Sequence, residues 1–163
     1  KELTHYEEAV ERYQDIFREC CMYRVEAYEG IRELLEFLKS QGILIAVLSN
    51  KPHPRTLDNV EGVFGKGYFN LVYGEREDKG IRKKPCPDGV WAIAEELGLS
   101  KSEILYLGDT NTDMETGDNA KVDTVGVTWG FRTREELMAF HPALIADHPS
   151  RVVQYIKDVN GIE

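Results

Sequence analysis

Residues Ile43-Leu44-Ile45-Ala46-Val47-Leu48 form an unbroken apolar run that stops abruptly at the polar Ser49-Asn50-Lys51-Pro52. A run of strand length with no polar alternation suits a strand buried on both faces, as in a parallel sheet covered by helices. Helices must then flank it, and the surrounding periodicity supplies them. Upstream, Ile31, Leu34, Leu35 and Leu38 lie at helical spacing and the pattern is stopped by Gly42. Further upstream, Leu3, Tyr6, Val10, Tyr13, Phe17 and Cys20 recur at steps of three and four, which predicts an amphipathic helix over Leu3 to Cys21 with one face packed on a neighbour.

Downstream the two periods alternate. Leu71-Val72-Tyr73 is a short strand closed by Gly74, and Val90 to Leu97 is a helix with Pro87 near its start and Gly98 beyond its end. Ile104 to Leu107 and Thr124 to Val127 are strands separated by a helix over Asn111 to Ala120. Ser100 with Glu103 and Thr133 with Glu136 have capping-box spacing; the second pair opens a helix to about Phe140, and Ser150 to Val159 closes the chain. Strands alternating with helices imply right-handed crossovers, hence an α/β fold with a mostly parallel sheet.

The chain has 163 residues, enough for about one domain with a substantial core. No apolar run approaches the roughly 20 residues of a membrane helix. The net charge of −9 disfavours nucleic acid and anionic membrane surfaces, both of which reward clustered Lys and Arg. A small anionic substrate stays open, because it responds to local charge and to any bound metal. Cys20, Cys21 and Cys86 form no C-x-x-C pair, and an odd count without metal spacing fits structural thiols in a reducing cytoplasm.

Three polar clusters fall at strand ends or just before a helix, where open α/β sheets bind ligands. Ser49-Asn50 offers a hydroxyl and backbone N–H groups to a phosphate oxygen. In Lys83-Lys84-Pro85-Cys86-Pro87-Asp88, two prolines stiffen the backbone, so that Lys84 projects from a fixed point where negative charge needs neutralising. In Gly108-Asp109-Thr110-Asn111-Thr112-Asp113, Asp109 stands at the tip of a buried strand and suits a hard cation such as Mg²⁺. An EF-hand loop starting at Asp109 fails, since it needs glycine at Met114 and glutamate at Ala120. A phospho-acceptor receiver domain fails on order, because its lysine-proline pair follows the acceptor aspartate.

The order of these motifs, Val47-Leu48-Ser49-Asn50-Lys51, then Lys84-Pro85-Cys86-Pro87-Asp88, then Leu107-Gly108-Asp109-Thr110-Asn111-Thr112-Asp113, resembles that of haloacid dehalogenase-like (HAD) hydrolases of the phosphoglycolate phosphatase-like branch. The resemblance covers residues 28 to 156. It implies a three-layer Rossmann-like core and cleavage of a small phosphomonoester through an aspartyl-phosphate with Mg²⁺. By the same resemblance, Ser49, the Asn50 backbone and Lys84 would hold the phosphoryl group. Lys84 would also serve the catalytic aspartate, and Asp109 and Asp113 would bind the metal.

One family motif is missing. An Asp-x-Asp following an N-terminal apolar strand should supply the nucleophile and the general acid, yet no two aspartates here are separated by a single residue. Residues 1–27 resemble the end of a helical cap, and residues 28–163 an incomplete core. In the family the missing strand lies between the Ser49 strand and the Asp109 strand, so those two strands must either close up or keep unpaired edges. The chain is accordingly expected to be a truncated phosphatase, inactive alone unless a second chain fills the central strand. The alternative is a non-catalytic fragment that binds a phosphate ligand or a partner.

Overall fold

The computed structural model describes residues 5–20 and 23–162, apart from the side chains of residues 14 and 17–19. Along the chain lie α1 (Tyr6–Cys20), α2 (Ile31–Ser40), β1 (Ala46–Pro52), α3 (His53–Phe64), β2 (Leu71–Glu75), α4 (Asp88–Leu97), β3 (Leu105–Gly108), α5 (Asn111–Ala120), β4 (Asp123–Val127), α6 (Arg134–Met138), β5 (Leu144–Ala146) and α7 (Pro149–Asn160). Every strand pairing is parallel, and the α/β class expected from the alternation is the one observed.

The strands form two sheets. One has the order β1-β2 and the other β3-β4-β5, and among the described residues no ladder joins β1 to β3. Helices nevertheless hold the two sheets together on both faces. On one face α2 packs on α7, and Leu34 joins Val125, Val127, Ala146, Val152 and Ile156 in the main core. The same helix reaches α3, where the Arg32 guanidinium donates to the Val63 carbonyl at 2.6 Å and lies over the Phe64 ring. On the other face α4 meets α5, and the Trp91 indole N–H donates to the Ala120 carbonyl at 3.2 Å. The result is three layers whose middle layer is split between β1 and β3.

Burial records the split. Val125 and Val127 on β4, which is paired on both sides, are 0% and 6% exposed, as a covered parallel strand requires. Leu107 on β3 and Leu44, just before β1, keep 36% and 43% of their surface exposed despite being aliphatic. Of the two outcomes expected without a central strand, the chain adopts unpaired edges. Closing up would drag α2 and α4 away from partners they already bury.

Several elements differ from the periodicity. The strand expected over Ile43 to Leu48 runs instead from Ala46 to Pro52. Ile43 is taken by the end of α2, its N–H donating to the Leu38 carbonyl, and Ile45 is held by Asn70, so the ladder begins at Ala46 opposite Leu71. Ser49 and Asn50 therefore lie within β1, as its fourth and fifth residues, not after it. The helix α3 was not among the expected elements; Pro52, His53 and Pro54 are its N-cap and first two positions, where proline loses nothing. At three residues, β5 is too short to show a period. The Ser100–Glu103 box forms, but it closes a single 3-10 turn before β3. The Thr133–Glu136 box opens α6 as expected. The helix α1 forms, and on it Tyr6, Tyr13 and Ile16 are exposed. Its expected ends at Leu3 and Cys21 lie outside the described residues.

Amide hydrogen exchange should report the split directly. Amides of β4, flanked on both sides, are expected to exchange more slowly than those of β1 and β3. Equal protection across the three strands would contradict two open edges.

Candidate active site

The polar ends of β1 and β3 and the start of α4 meet at the C-terminal edge of the two sheets. Lys84 is the centre of this meeting. Its backbone is clamped by Asn50, whose side-chain amide accepts from the Lys84 N–H at 2.8 Å and donates to the Lys84 carbonyl at 3.0 Å. The Lys84–Pro85 peptide is cis, and the Pro85 carbonyl accepts from the Asn119 side chain at 3.0 Å. From this anchored backbone the Lys84 ammonium reaches across to α5 and donates to Asp113 Oδ1 at 2.7 Å. Their side chains are 15% and 7% exposed, so the pair is sheltered from water and screening salt.

Asp113 accepts four hydrogen bonds. Its Oδ1 takes Lys84 and the Tyr106 hydroxyl, at 2.7 and 3.2 Å; its Oδ2 takes the Thr110 N–H and hydroxyl, at 3.1 and 2.6 Å. The Thr110 contacts form a capping box, because the Thr110 hydroxyl in turn accepts from the Asp113 N–H. Burial alone would raise the Asp113 pKa, but the Lys84 charge and the donors from Lys84, Thr110 and Tyr106 outweigh it and hold the carboxyl below its ordinary range. Burial and the Asp113 charge push the Tyr106 hydroxyl well above its ordinary value, so it stays a neutral donor. A lone tyrosine in an apolar strand was the available signal for this role, since a buried phenol needs a partner.

Asp109 is placed differently. Its Oδ2 accepts from the Phe131 N–H at 3.0 Å, and the loop after β4 lies against its carboxylate. Two glycines make room for the two acids. A methyl group on Gly130 would collide with the Asp109 carboxylate, and one on Gly108 would collide with Asp113. Two residues beyond Asp109, at the first position of α5, the Asn111 side-chain oxygen is buried with no hydrogen-bond partner. An orphaned buried acceptor in the turn that leaves a strand tip fits a small hard cation or its water. Among the described residues no three His, Cys, Asp or Glu side chains cluster as a metal cage.

Ser49 stands on the opposite sheet at the same edge, its hydroxyl accepting from the Lys51 N–H at 3.1 Å. Ser49, Asn50 and Lys84 line a common cleft, while Asp109 and Asp113 reach the region from β3 and α5. The structure thus gathers the five residues singled out in the sequence onto one edge, on both sides of the split between β1 and β3.

Comparison with known proteins identifies the family and the fold. The family model described as haloacid dehalogenase-like hydrolase matches residues 1–127. The chain belongs to that family. A phosphoglycolate phosphatase of Pectobacterium atrosepticum is 29% identical over 150 residues, covering 92% of this chain and 63% of its own. An N-acetylmuramic acid 6-phosphate phosphatase of Pseudomonas aeruginosa is 30% identical over 153 residues, covering 90% and 64%. The crystal structure of a candidate phosphoglycolate phosphatase of Lactobacillus delbrueckii superposes with a TM-score of 0.86 at 30% identity, covering 95% of this chain and 64% of that one. This HAD-like chain therefore spans just under two-thirds of the length of these relatives.

Replacing Asp113 by Asn should leave the sheltered Lys84 without its counter-charge and cost about 3 kcal/mol in urea unfolding at pH 7. A carboxyl with a lowered folded pKa contributes stability above the ordinary Asp range of about 4 and loses it as pH falls through the folded value. The wild type should therefore lose this margin over Asp113→Asn below about pH 4. A gap between the two proteins that stays constant to pH 2 would remove Asp113 as its source.

Proposed function

We propose that this chain is the larger part of a phosphatase that cleaves small phosphomonoesters with Mg²⁺, and that a further parallel strand between β1 and β3 supplies its nucleophile. The observation that carries the reading is the Lys84 ammonium, sheltered at the mouth between two unpaired parallel edges and held in place from both of them. A strand seated there would end beside Lys84, where a carboxylate at its tip would face the phosphoryl group.

In this reading the Ser49 hydroxyl and the Asn50 backbone bind phosphoryl oxygens, and Lys84 balances their charge as it grows in the transition state. Asn50 acts also as a positioning residue, because its side chain fixes the Lys84 backbone. Asp109, with Asn111 two residues on, would hold the metal; bound there, Mg²⁺ would neutralise phosphoryl oxygens and orient the substrate. Both Asp113 oxygens are engaged, so Asp113 serves chiefly through Lys84, or through a metal-bound water. The local cation and the metal answer the objection that a chain of net charge −9 should repel an anionic substrate. The substrate is a small soluble metabolite, and the odd cysteine count is consistent with a reducing cytoplasm.

The test is turnover of p-nitrophenyl phosphate with Mg²⁺. The 163-residue chain alone should be inactive. Co-expression with, or fusion to, a segment carrying an apolar strand that ends in Asp-x-Asp should restore activity, and Lys84→Met in that restored protein should abolish it. Ordinary turnover by the chain alone would sink the strand proposal. Separately, Gly130→Ala should weaken Mg²⁺ binding about tenfold by crowding Asp109, as measured by calorimetry; unchanged affinity would place the metal elsewhere.

A further inference from the structure

The parallel ladder between β1 and β2 breaks at the residues that carry the site. Leu48 stands opposite Tyr73 and Pro52 opposite Glu75, so Ser49, Asn50 and Lys51 on β1 face the single residue Gly74 on β2. Upstream, the Asn70 N–H donates to the Ile45 carbonyl at 2.9 Å, and steps of two along a regular parallel ladder would bring the Gly74 N–H to the Ser49 carbonyl. The Gly74 N–H donates instead to His53 Nδ1 at 3.1 Å. The side chain of the first residue of α3 thus takes the place of a ladder acceptor, and β1 is left to bulge at Ser49 and Asn50.

Close contacts connect His53 to Ser49. A methyl group on Gly74 would collide with the His53 Cα, the Thr56 hydroxyl and the Lys51 carbonyl. Buried Thr56 directs its hydroxyl at the Lys51 and Pro52 carbonyls, at 3.1 and 3.3 Å, and the Lys51 N–H donates to the Ser49 hydroxyl oxygen at 3.1 Å. A backbone N–H can only donate, so Nδ1 is the bare nitrogen of a neutral ring whose proton sits on Nε2. The charges around the ring come from three elements and the turn after β2. That turn brings Arg76 and Lys79, which disfavour an imidazolium, and Asp78, which favours one; its Glu77 is paired with Lys83. β2 itself ends in Glu75, opposite Pro52, and carries Tyr73, whose hydroxyl donates to Glu96. β1 contributes Lys51, bonded to Asn59, and α3 contributes Arg55, bonded to Asp58. Burial, with Arg76 and Lys79, outweighs Asp78 and holds the His53 pKa below its ordinary value.

We infer that His53 is the positioning residue of this bulge: its neutral ring, by accepting from Gly74, holds Ser49 and Asn50 where they meet an oxyanion, and its protonation releases them. This rests on the phosphoryl-binding reading of Ser49 and Asn50 above and adds a residue that itself touches no substrate. An imidazolium has no bare nitrogen, so Gly74 would lose its acceptor and a donor would face a donor. With a lowered folded pKa, the neutral latch is favoured by folding above the ordinary histidine value of about 6.5 and is lost as pH falls through the folded value.

Calorimetric titration of the chain with sulfate, a dianion across the whole range from pH 8 to pH 5, tests the latch. Wild type should bind sulfate about threefold more weakly at pH 5 than at pH 8. His53→Asn, which keeps an acceptor near the same place on a side chain that does not titrate, should flatten that profile. His53→Ala should bind about fivefold more weakly than wild type at pH 8, again with a flat profile. A flat wild-type profile, a wild-type slope retained in His53→Asn, or unchanged affinity in His53→Ala each overturns the inference. Amide spectra of the isotope-labelled chain without sulfate supply an independent reading, in which the Gly74, Lys51 and Ser49 signals should shift with the midpoint of the His53 ring. If wild type binds no sulfate at any pH, the phosphoryl-binding reading fails, and these amides alone decide whether His53 holds the bulge. Amides that ignore the ring overturn that as well.

Discussion

Lys84 and Asp113 belong to opposite sides of a split sheet, and their contact ties the two sides at the edge where the polar residues gather. A sheltered lysine is tolerated only when its charge is met, and a sheltered carboxylate only when its lone pairs are occupied. Each requirement recruits neighbours. Asn50 holds the Lys84 backbone from β1, and Thr110 and Tyr106 fill the remaining acceptor positions of Asp113. The pair is thus the hub of a network that reaches the ends of β1 and β3 and the first turn of α5.

The split itself follows from where the packing lies. Apolar contacts run through α2 and α7 on one face and through α4 and α5 on the other, so the helical layers are continuous although the sheet is not. Bringing β1 against β3 would gain a few backbone hydrogen bonds and disrupt both layers. The helices therefore hold open two parallel edges at a spacing set by their own packing. Those edges, with a lysine at their mouth, are the physical basis for assigning a strand-borne carboxylate to the reaction.

Local charge also reconciles an acidic chain with an anionic ligand. Carboxylates pair with Arg82, Lys83 and Lys84 at the cleft. Net charge describes how the whole molecule meets polyanions, whereas a small substrate meets only the groups lining its cleft.

Much of this was legible in the residues. The alternation of periods set the α/β class, and the order Ser49-Asn50, Lys84-Pro85, Gly108-Asp109 indicated which edge would carry chemistry, because polar residues at the ends of apolar strands have few other places to go. Glycine at 108 was visible as a small neighbour of Asp109, although its packing partner proved to be Asp113. The start of β1, the helix α3 and the brief β5 were not legible, since each depends on contacts distant in sequence, such as Asn70 holding Ile45. The absence of Asp-x-Asp was a fact of sequence. That the strands would stay apart around it, and that Asp113 would spend both oxygens on Lys84, Tyr106 and Thr110, were decided only in three dimensions. Sequence specifies which groups exist and their local periods; which charge meets which is settled when helices far apart in the chain pack against one another.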